Sequence, residues 1–464
     1  MNLRRRRHAL ALVGLPAVMP EQAMAHASGQ AVMLTLPTGA FIWGAGAAVT
    51  ATALLAGLVA RGPAFAARTV CRLPSVPVWP SWISAGVHTA LIYVGFAGPT
   101  DPMENLLTLW IWCALWLGMV ILQALAGDLW LNLNPWVGPV RALRAAFGLR
   151  GGVGLGRLGQ WPAVAGLFAF AWFEIVSLAP ADPRQLAWIV TAYYLAILVL
   201  ATLEGETWLG QGEFLTVFMT NVARIAPLWR MPADDRAGRW AMAGLPGAQI
   251  LRMAPLSTSA LAFVLLMLAS VSFDGLHETF RWVAAIGLNP LDYPGRSAVQ
   301  GVNTVGLLAL WGLMAAVVLG ALRVALALGG AGARFRGLVG PWTLALLMIA
   351  AAFHIAHYLT ALLTLGQYLI AALSDPLERG ADYLGLGENW VAFGFLTRTG
   401  PVWAIWICQC LLILAAHVGA VLLAQAIARR EGLRLTVLAE LPLTALMVLY
   451  TVFGLWLLAA PAIG

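Results

Sequence analysis

Two histidines spaced three residues apart lie within a long apolar stretch of this chain. His354 and His357 would stand on one face of a helix about one turn apart, which suits two ligands of one metal ion. His417 and His88 also fall inside apolar stretches, and all four lie roughly 12 to 25 Å from the inner membrane edge at ~1.5 Å per residue. The four histidines predict a shared metal site, with a divalent ion such as zinc as the expected cofactor. The alternative is that each histidine bonds separately to a carbonyl or hydroxyl of a neighbouring helix.

Several carboxylates form a second set of candidates, towards the outer ends of these stretches. Glu174 lies deep enough in an apolar run that a bare carboxylate there needs a partner or a proton. Glu174 and Asp274 are the candidate catalytic residues, because either could act as a base on a bound water. For Asp101, Glu104 and Asp375, solvated loop charge or helix capping is an equal alternative.

The composition indicates which kind of secondary structure positions these histidines and carboxylates. Of 464 residues, 61% are hydrophobic and 10% are charged, with a mean hydropathy of +0.84. These values exclude a soluble enzyme, a disordered chain and a nucleic-acid-binding protein. Long unbroken apolar runs predict an all-α, polytopic transmembrane bundle of about ten helices rather than a β-barrel. The predicted spans are 38–60, 80–97, 105–126, 161–180, 185–203, 257–275, 300–328, 340–372, 401–427 and 440–460.

The first 25 residues have the pattern of a secretory signal peptide. Four arginines at 4–7 precede a short apolar stretch, and small residues flank a cleavage position at 23–25. In the remaining chain, eighteen arginines fall on one side of the predicted membrane and five on the other. The positive-inside rule then puts both ends of the mature chain on the outer side. We therefore expect a multi-pass protein of a bacterial inner membrane, with both termini in the periplasm.

Two connections on the arginine-rich side have different predicted structures. In the loop over 204–256, polar and apolar residues alternate from Glu213 to Ile225, which predicts a helix at the membrane interface. The glycines at 151–156 follow no predicted strand and precede no Gly-Lys-Ser or Gly-Lys-Thr sequence, so they predict a flexible connector rather than a phosphate loop.

Short motifs spread along most of the chain carry a family resemblance. They are Asp101-Pro102-Met103-Glu104-Asn105, Gly127-Asp128-Leu129-Trp130, Asn134-Pro135-Trp136, Phe273-Asp274-Gly275, His357-Tyr358, Gln367, Ser374-Asp375-Pro376, His417-Val418 and Gly454-Leu455-Trp456. In these motifs the chain resembles the fenitrothion hydrolase-like family, the membrane-bound organophosphate hydrolases of bacteria. The resemblance implies cleavage of the aryl ester bond of a phosphotriester, with release of a nitrophenol.

The predicted chemistry is compatible with that reaction. A neutral aryl phosphotriester dissolves in the lipid bilayer, and a histidine-bound metal could lower the pKa of bound water to about 7. In this hypothesis His354, His357 and His417 bind the metal, His88 completes the site, and Glu174 or Asp274 assists the water. A second membrane subunit is one option. Two other classes stay open: a copper- or haem-binding membrane protein, and a transporter in which Asp and His side chains relay protons.

Overall fold

The fold is known from a computed structural model of the chain. The structure describes residues 37–58, 65–74, 77–232, 239–253, 255–387, 390–433 and 436–463. The predicted signal peptide over 1–25 lies outside the described residues.

Eight helical segments of the described chain are long and apolar enough to cross a membrane, which confirms the prediction of an all-α polytopic bundle. Seven of these segments are single helices, and the eighth, Gly332–His357, contains the two helices α13 and α14. The membrane helices are α1 (Thr38–Leu58), α3 (Leu106–Ala126), α7 (Pro183–Glu204), α10 (Thr258–His277), α12 (Arg296–Leu328), α13 (Phe335–Ala345), α14 (Leu347–His357), α16 (Thr399–Arg430) and α17 (Val437–Ala459).

Shorter helices fill the spaces between the long ones. They are α2 (Trp79–Ala97), α4 (Trp130–Leu133), α5 (Val137–Ala146), α6 (Trp161–Val176), α8 (Leu209–Gly212), α9 (Phe214–Ala223), α11 (Phe280–Ala285) and α15 (Leu359–Ser374). Four 3₁₀ turns lie at Leu155–Leu158, Glu206–Trp208, Ala248–Arg252 and Gly332–Arg334. Helices α2 and α6 correspond to the predicted spans 80–97 and 161–180, but they are not among the eight segments above.

A small antiparallel sheet, absent from the sequence prediction, joins two of the connections. Its strands β1 (Ala67–Leu73), β2 (Leu228–Pro232) and β3 (Arg239–Gly244) are arranged in the order β1-β3-β2. Ala67 pairs with Gly244, and Leu228 pairs with Ala243. The strands are only five to seven residues long. The pairing partners in β1 and β3 are more than 160 residues apart, whereas β2 and β3 are neighbours in the sequence. Because local patterning cannot report the distant β1–β3 pairing and each strand is short, the sequence analysis did not indicate the sheet.

The predicted span over 340–372 is not one continuous helix. It consists of α13, α14 and α15, with breaks at Leu346 and Tyr358. At Tyr358 the backbone leaves the helical region, with φ −91° and ψ 7°. The backbone hydrogen bonds continue across Tyr358, because its N–H donates to the carbonyl of His354 (3.1 Å) and its carbonyl accepts from Leu362 (2.8 Å).

Helices α10, α13 and α14 form the centre of the bundle. In the most apolar stretches of these segments 78% and 83% of residues are buried, against 22% to 44% in the other six membrane helices. Helix α10 packs against α6, α12 and α14, and α14 packs against α16. Polar side chains between α10 and α14 are therefore largely surrounded by protein.

The predicted interfacial helix over 213–225 is wrong. Helix α9 occupies that position and is buried, because Phe214, Phe218 and Val222 pack against α3 and α6 in the main core. The alternation of polar and apolar residues reflects caps and core contacts, and no face of α9 is left for lipid headgroups.

Glu213 explains how α9 begins inside the protein. Its carboxylate is fully buried and accepts bonds from the backbone N–H groups of Leu215 (2.7 Å) and Thr216 (2.6 Å). The hydroxyls of Tyr193 and Thr216 donate to the same carboxylate. Four donors and the positive end of the helix dipole thus stabilise the charge of a buried anion.

The two ends of the bundle are distinct. Arg296 at the start of α12 donates to the carbonyls of Glu174 (2.9 Å) and Ser177 (3.1 Å) where α6 ends, so these termini share one end. The sheet lies against the opposite end, where α3 finishes next to β2. We call the first the site end and the second the arginine end.

Gly127 closes the contact between α3 and β2. Its φ is +84°, and a Cβ atom there would lie 2.4 Å from the carbonyl oxygen of Leu228. We expect Gly127→Ala to lower the free energy of unfolding by roughly 2–4 kcal/mol, from backbone strain plus the clash. Gly148→Ala is the matched control, since its φ is +61° but nothing lies within 4 Å. Thermal unfolding in detergent measures both variants, and equal losses would contradict the clash.

Candidate active site

Helices α6, α10 and α14 bring four titratable side chains together at the site end. Asp274 lies in the last turn of α10, and His357 is the last residue of α14. Tyr358 occupies the break that follows, and Glu174 lies two residues before the end of α6. The Tyr358 hydroxyl lies between α6 and α10, where it contacts Glu174 and Asp274.

The four side chains form one continuous chain of hydrogen bonds. His357 Nε2 lies 2.9 Å from Asp274 Oδ2, and the Tyr358 hydroxyl oxygen lies 2.6 Å from the same carboxylate oxygen. The Tyr358 hydroxyl oxygen is also 2.8 Å from Glu174 Oε1. The phenol therefore bridges two carboxyl groups from different helices.

Counting protons assigns the donors in this chain. A phenol has one hydrogen and can donate it to one carboxylate at a time. Asp274 Oδ2 has two donors, the His357 N–H and the Tyr358 O–H, so this carboxylate is the acceptor. For the contact on the other side we therefore assign a proton to Glu174, which donates it to the Tyr358 oxygen. This series of hydrogen bonds therefore contains one carboxylic acid, Glu174, and one carboxylate, Asp274.

Two further contacts fix the ends of the helices that hold the carboxyl groups. The ring of His277 bonds through Nδ1 to the backbone carbonyl of Asp274 at 2.7 Å. The Arg296 guanidinium satisfies backbone carbonyls in the last turn of α6, including that of Glu174. A positive charge at a helix C-terminus is favourable, so Arg296 holds α6 in place beside the site.

His354 lies one turn before Tyr358 and bonds to a different element. Its Nε2 donates to the backbone carbonyl of Trp116 at 2.8 Å. Trp116 lies in a π-helical stretch of α3, Trp110–Met119. In a regular α-helix the N–H of Val120 would donate to the carbonyl of Trp116. At the end of this stretch it donates to the carbonyl of Leu117 instead. The irregular turn thus leaves the Trp116 carbonyl free of its usual partner and aims it at His354.

A small cavity lies beside His354 and the bridging phenol, whose rings contact each other with 4.9 Å between centroids. Its volume is about 20 Å³, which is room for about one water molecule. Glu174, Asp274, His354 and Tyr358 are among its lining residues, and Ser270 adds another polar group. The side chains of His357 and Asp274 keep 22% and 14% of their surface exposed, so the hydrogen-bonded chain also reaches the molecular surface.

The structure brings both predicted catalytic carboxylates, Glu174 and Asp274, into one site with His354 and His357. It separates the other two predicted metal ligands from them. His417 Nδ1 bonds to the carbonyl of Ile413 in its own helix at 2.9 Å, and His88 packs its ring on Tyr194 with 4.8 Å between centroids.

In the described part of the chain, no group of three His, Cys, Asp or Glu side chains has an arrangement that could hold a metal ion. His354 has its Nε2 engaged with a carbonyl, and His357 Nε2 is bonded to Asp274. These residues therefore do not fit the predicted metal centre, and no step proposed below depends on one.

The loop carboxylates at the site end have structural partners of their own. Asp101 accepts from the backbone N–H of Met103 at 2.8 Å, and Asp375 accepts from those of Gly380 (2.7 Å) and Ala381 (2.9 Å). Backbone donors, that of Arg379 first, hold the pKa of Asp375 below its usual value of 3.8. For Asp101 and Asp375 the structure supports the alternative of loop carboxylates with a structural role.

Glu104 has a different environment in the same region. Burial, and then the nearby charges of Glu378 and Asp101, raise its pKa above the usual value of 4.5.

Two participants were not among the residues predicted to be functional. Tyr358 is a single hydroxyl next to His357 within an apolar run, and that position was the one available signal. The Trp116 carbonyl gave no signal, because a backbone group is present at every residue and a π-helical turn has no sequence signature.

The fold defines a multi-pass helical membrane protein with a buried acid–base site. Comparisons with known proteins found no matching family model, no similar curated protein and no similar solved structure. The resemblance to the fenitrothion hydrolase-like family consequently depends on the sequence motifs alone.

The proton assigned to Glu174 can be observed directly. We expect an infrared carboxylic-acid C=O band that disappears in Glu174→Gln and moves in Tyr358→Phe, because the phenol accepts the bond from this acid. Glu213→Gln is the matched control: Glu213 is buried but its carboxylate has four donors, so we expect it to be ionised and to contribute no such band. A band that survives Glu174→Gln unchanged would contradict the assignment.

Proposed function

We propose that the chain is a proton-coupled membrane transporter, and that Glu174, Tyr358, Asp274 and His357 bind and pass on the coupled proton. One observation carries the proposal. Two carboxyl groups on different helices are bridged by a single phenol hydroxyl, and a histidine bonds to the far carboxylate. Ionisable groups facing the interior of a membrane bundle mark proton or ion pathways.

The bridging phenol supports proton transfer without large movement. Glu174 donates to the Tyr358 oxygen while the Tyr358 hydroxyl donates to Asp274. If both protons shift along their bonds, Glu174 becomes the anion and Asp274 the acid, and the phenol is restored. The contacts of 2.6 and 2.8 Å are short enough for this exchange. Before the shift, the His357 N–H stabilises the negative charge of Asp274.

The position of the site supports coupling to helix movement. Its members lie on α6, on α10 and at the break between α14 and α15. A change in the α14–α15 angle would separate the phenol from one or both carboxyl groups. Proton binding would in this way favour one arrangement of the broken helix over another, as differential binding requires.

The orientation follows from the arginines. The arginine end holds the sheet and most of the basic residues of the described connections, and we infer that it faces the cytoplasm. The site end would then face the outer side of a bacterial inner membrane, and the exposed edges of His357 and Asp274 would take up protons from that side.

A pH jump tests proton binding without knowledge of the transported solute. In proteoliposomes adsorbed on a solid-supported membrane, a step to lower pH should produce a transient current that empty vesicles lack. We expect Asp274→Asn to abolish the current and Tyr358→Phe to reduce it at least tenfold, because the bridge between the carboxyl groups is lost. His88→Gln, which lies outside the site, should keep the wild-type current. No current from the wild-type protein, or an unchanged one in Asp274→Asn, would refute the proposal.

A second candidate is the organophosphate hydrolase that the motifs suggest. The observation in its favour is that Glu174 and Asp274 line a cavity that can hold one water. A carboxylate base could remove a proton from this water as its oxygen attacks phosphorus. The P–O bond to the aryl group would break, and the nitrophenolate would leave without a strong general acid. The small cavity is the weak point, because a triester must open the helices to reach it.

Release of nitrophenolate distinguishes the two candidates. Purified protein in lipid vesicles is mixed with an aryl phosphotriester such as fenitrothion, and the yellow product is followed by its absorbance. A hydrolase should lose at least 100-fold in rate in Asp274→Asn, with His417→Gln unchanged because that histidine lies away from the site. Product formation no faster than in protein-free vesicles would eliminate this candidate and leave the pH-jump current to decide the first.

A further inference from the structure

A segment at the arginine end combines positive charge with exposed apolar side chains. It consists of residues 141–161, from helix α5 through the 3₁₀ turn Leu155–Leu158 to the start of α6, and we call it the basic segment. No acidic residue occurs in the sequence between Asp128 and Glu174. The arginines of the basic segment are Arg141, Arg144, Arg150 and Arg157.

The apolar side chains of the basic segment are unusually exposed. Phe147 exposes 70% of its surface, Val153 64%, and Leu158 and Trp161 50% each. They stand beside the arginines and lie outside the eight candidate spans. Apolar groups alternating with cationic ones in a segment that does not cross the bilayer are typical of a surface in the plane of the lipid headgroups.

Two acidic residues from the end of α7 and the following turn face the basic segment, and both are already engaged. Glu206 forms a two-point ion pair with Arg141, with 2.8 Å between Nη2 and Oε1. Glu204 accepts bonds from the backbone N–H groups of Gly154 (2.7 Å), Leu155 (2.9 Å) and Gly156 (2.9 Å). These bonds shape the glycine loop and leave the arginine side chains of that loop free.

Arg144 further ties the segment to the bundle. Its guanidinium donates to the carbonyl of Thr202 at 2.7 Å and to that of Gly151 at 2.9 Å. The predicted flexible connector over 151–156 is therefore a loop held on both sides. Arg150 and Arg157 are exposed, and neither forms a salt bridge within the described ranges.

We propose that the basic segment is a docking surface for anionic phospholipid headgroups of the adjoining leaflet. Arg150 and Arg157 bind the lipid phosphates, and the exposed side chains of Phe147, Val153 and Leu158 insert among the upper acyl carbons. The charge supplies the selectivity, since a basic residue near an anionic bilayer surface adds roughly a factor of five in affinity. The apolar side chains distinguish a lipid from free phosphate, which would leave them in water.

The surface is independent of the proposed transport function. It lies at the arginine end, whereas the acid–base chain lies at the site end, on the opposite side of the bundle. A failure of the pH-jump experiment therefore leaves this inference unaffected.

Native mass spectrometry of the purified protein tests the surface, with phosphatidylglycerol and phosphatidylcholine of equal chain length as probes. The wild type should retain phosphatidylglycerol in preference. The double variant Arg150→Gln/Arg157→Gln should lose this preference about 25-fold, at a factor of five per arginine. The control is Arg379→Gln/Arg398→Gln, two exposed arginines in loops at the site end, which should retain it.

Further measurements separate lipid binding from other effects. Added inorganic phosphate should leave retention of phosphatidylglycerol unchanged, and thermal unfolding should be the same for both double variants. Phe147→Ser should weaken retention of both lipids without changing the preference between them. Equal preference in wild type and in Arg150→Gln/Arg157→Gln, or displacement of the lipid by millimolar phosphate, would overturn the proposal.

Discussion

A phenol has one proton to give, and in this structure two carboxyl groups lie within hydrogen-bonding distance of the same phenol. The side chains at the site end are arranged so that one phenol proton serves two carboxyl groups. Asp274 accepts from His357 and from Tyr358, and with the phenol donating to Asp274 the close approach of Glu174 is favoured when Glu174 is an acid and keeps its proton. Removing that proton would place two anions against one hydroxyl inside a membrane bundle, where little water is available to compensate. The packing of α6 against α10 and the protonation state of Glu174 are consequently coupled.

Two departures from regular helix make this contact possible, and they face each other. The break after His357 turns Tyr358 towards the carboxyl groups, and the π-helical turn in α3 presents the Trp116 carbonyl to His354. In a regular α3 the Trp116 carbonyl would accept from the Val120 N–H of its own helix. The π-helical turn costs stability, and the buried hydrogen bond from His354 offsets this cost.

The sequence predicted the architecture much better than the site. Apolar runs of about twenty residues indicate membrane helices because every backbone group in lipid must be satisfied within the helix, and each of the ten predicted segments contains a helix among its described residues. The sequence also identified Glu174, Asp274, His354 and His357 as site residues, since ionisable residues in apolar runs are few. It grouped His88 and His417 with them because depth along a helix can be read from sequence, whereas direction around the bundle cannot. Helix α9 was mistaken for an interfacial element for a related reason: a short alternating pattern does not state whether lipid or protein covers it.

Helix α12 is 33 residues long, and α16 is 32. At ~1.5 Å per residue each measures about 50 Å, against a hydrocarbon layer of about 30 Å. Such helices must tilt steeply or project into the headgroups, and the balance shifts with bilayer thickness. The first residue of α12 is Arg296, whose guanidinium holds the end of α6 beside Glu174. A thicker or thinner bilayer would therefore pull on the same carbonyls that hold the acid in position. Hydrophobic mismatch would then act on the proton equilibrium, and vesicles of graded acyl-chain length would reveal it as a graded response.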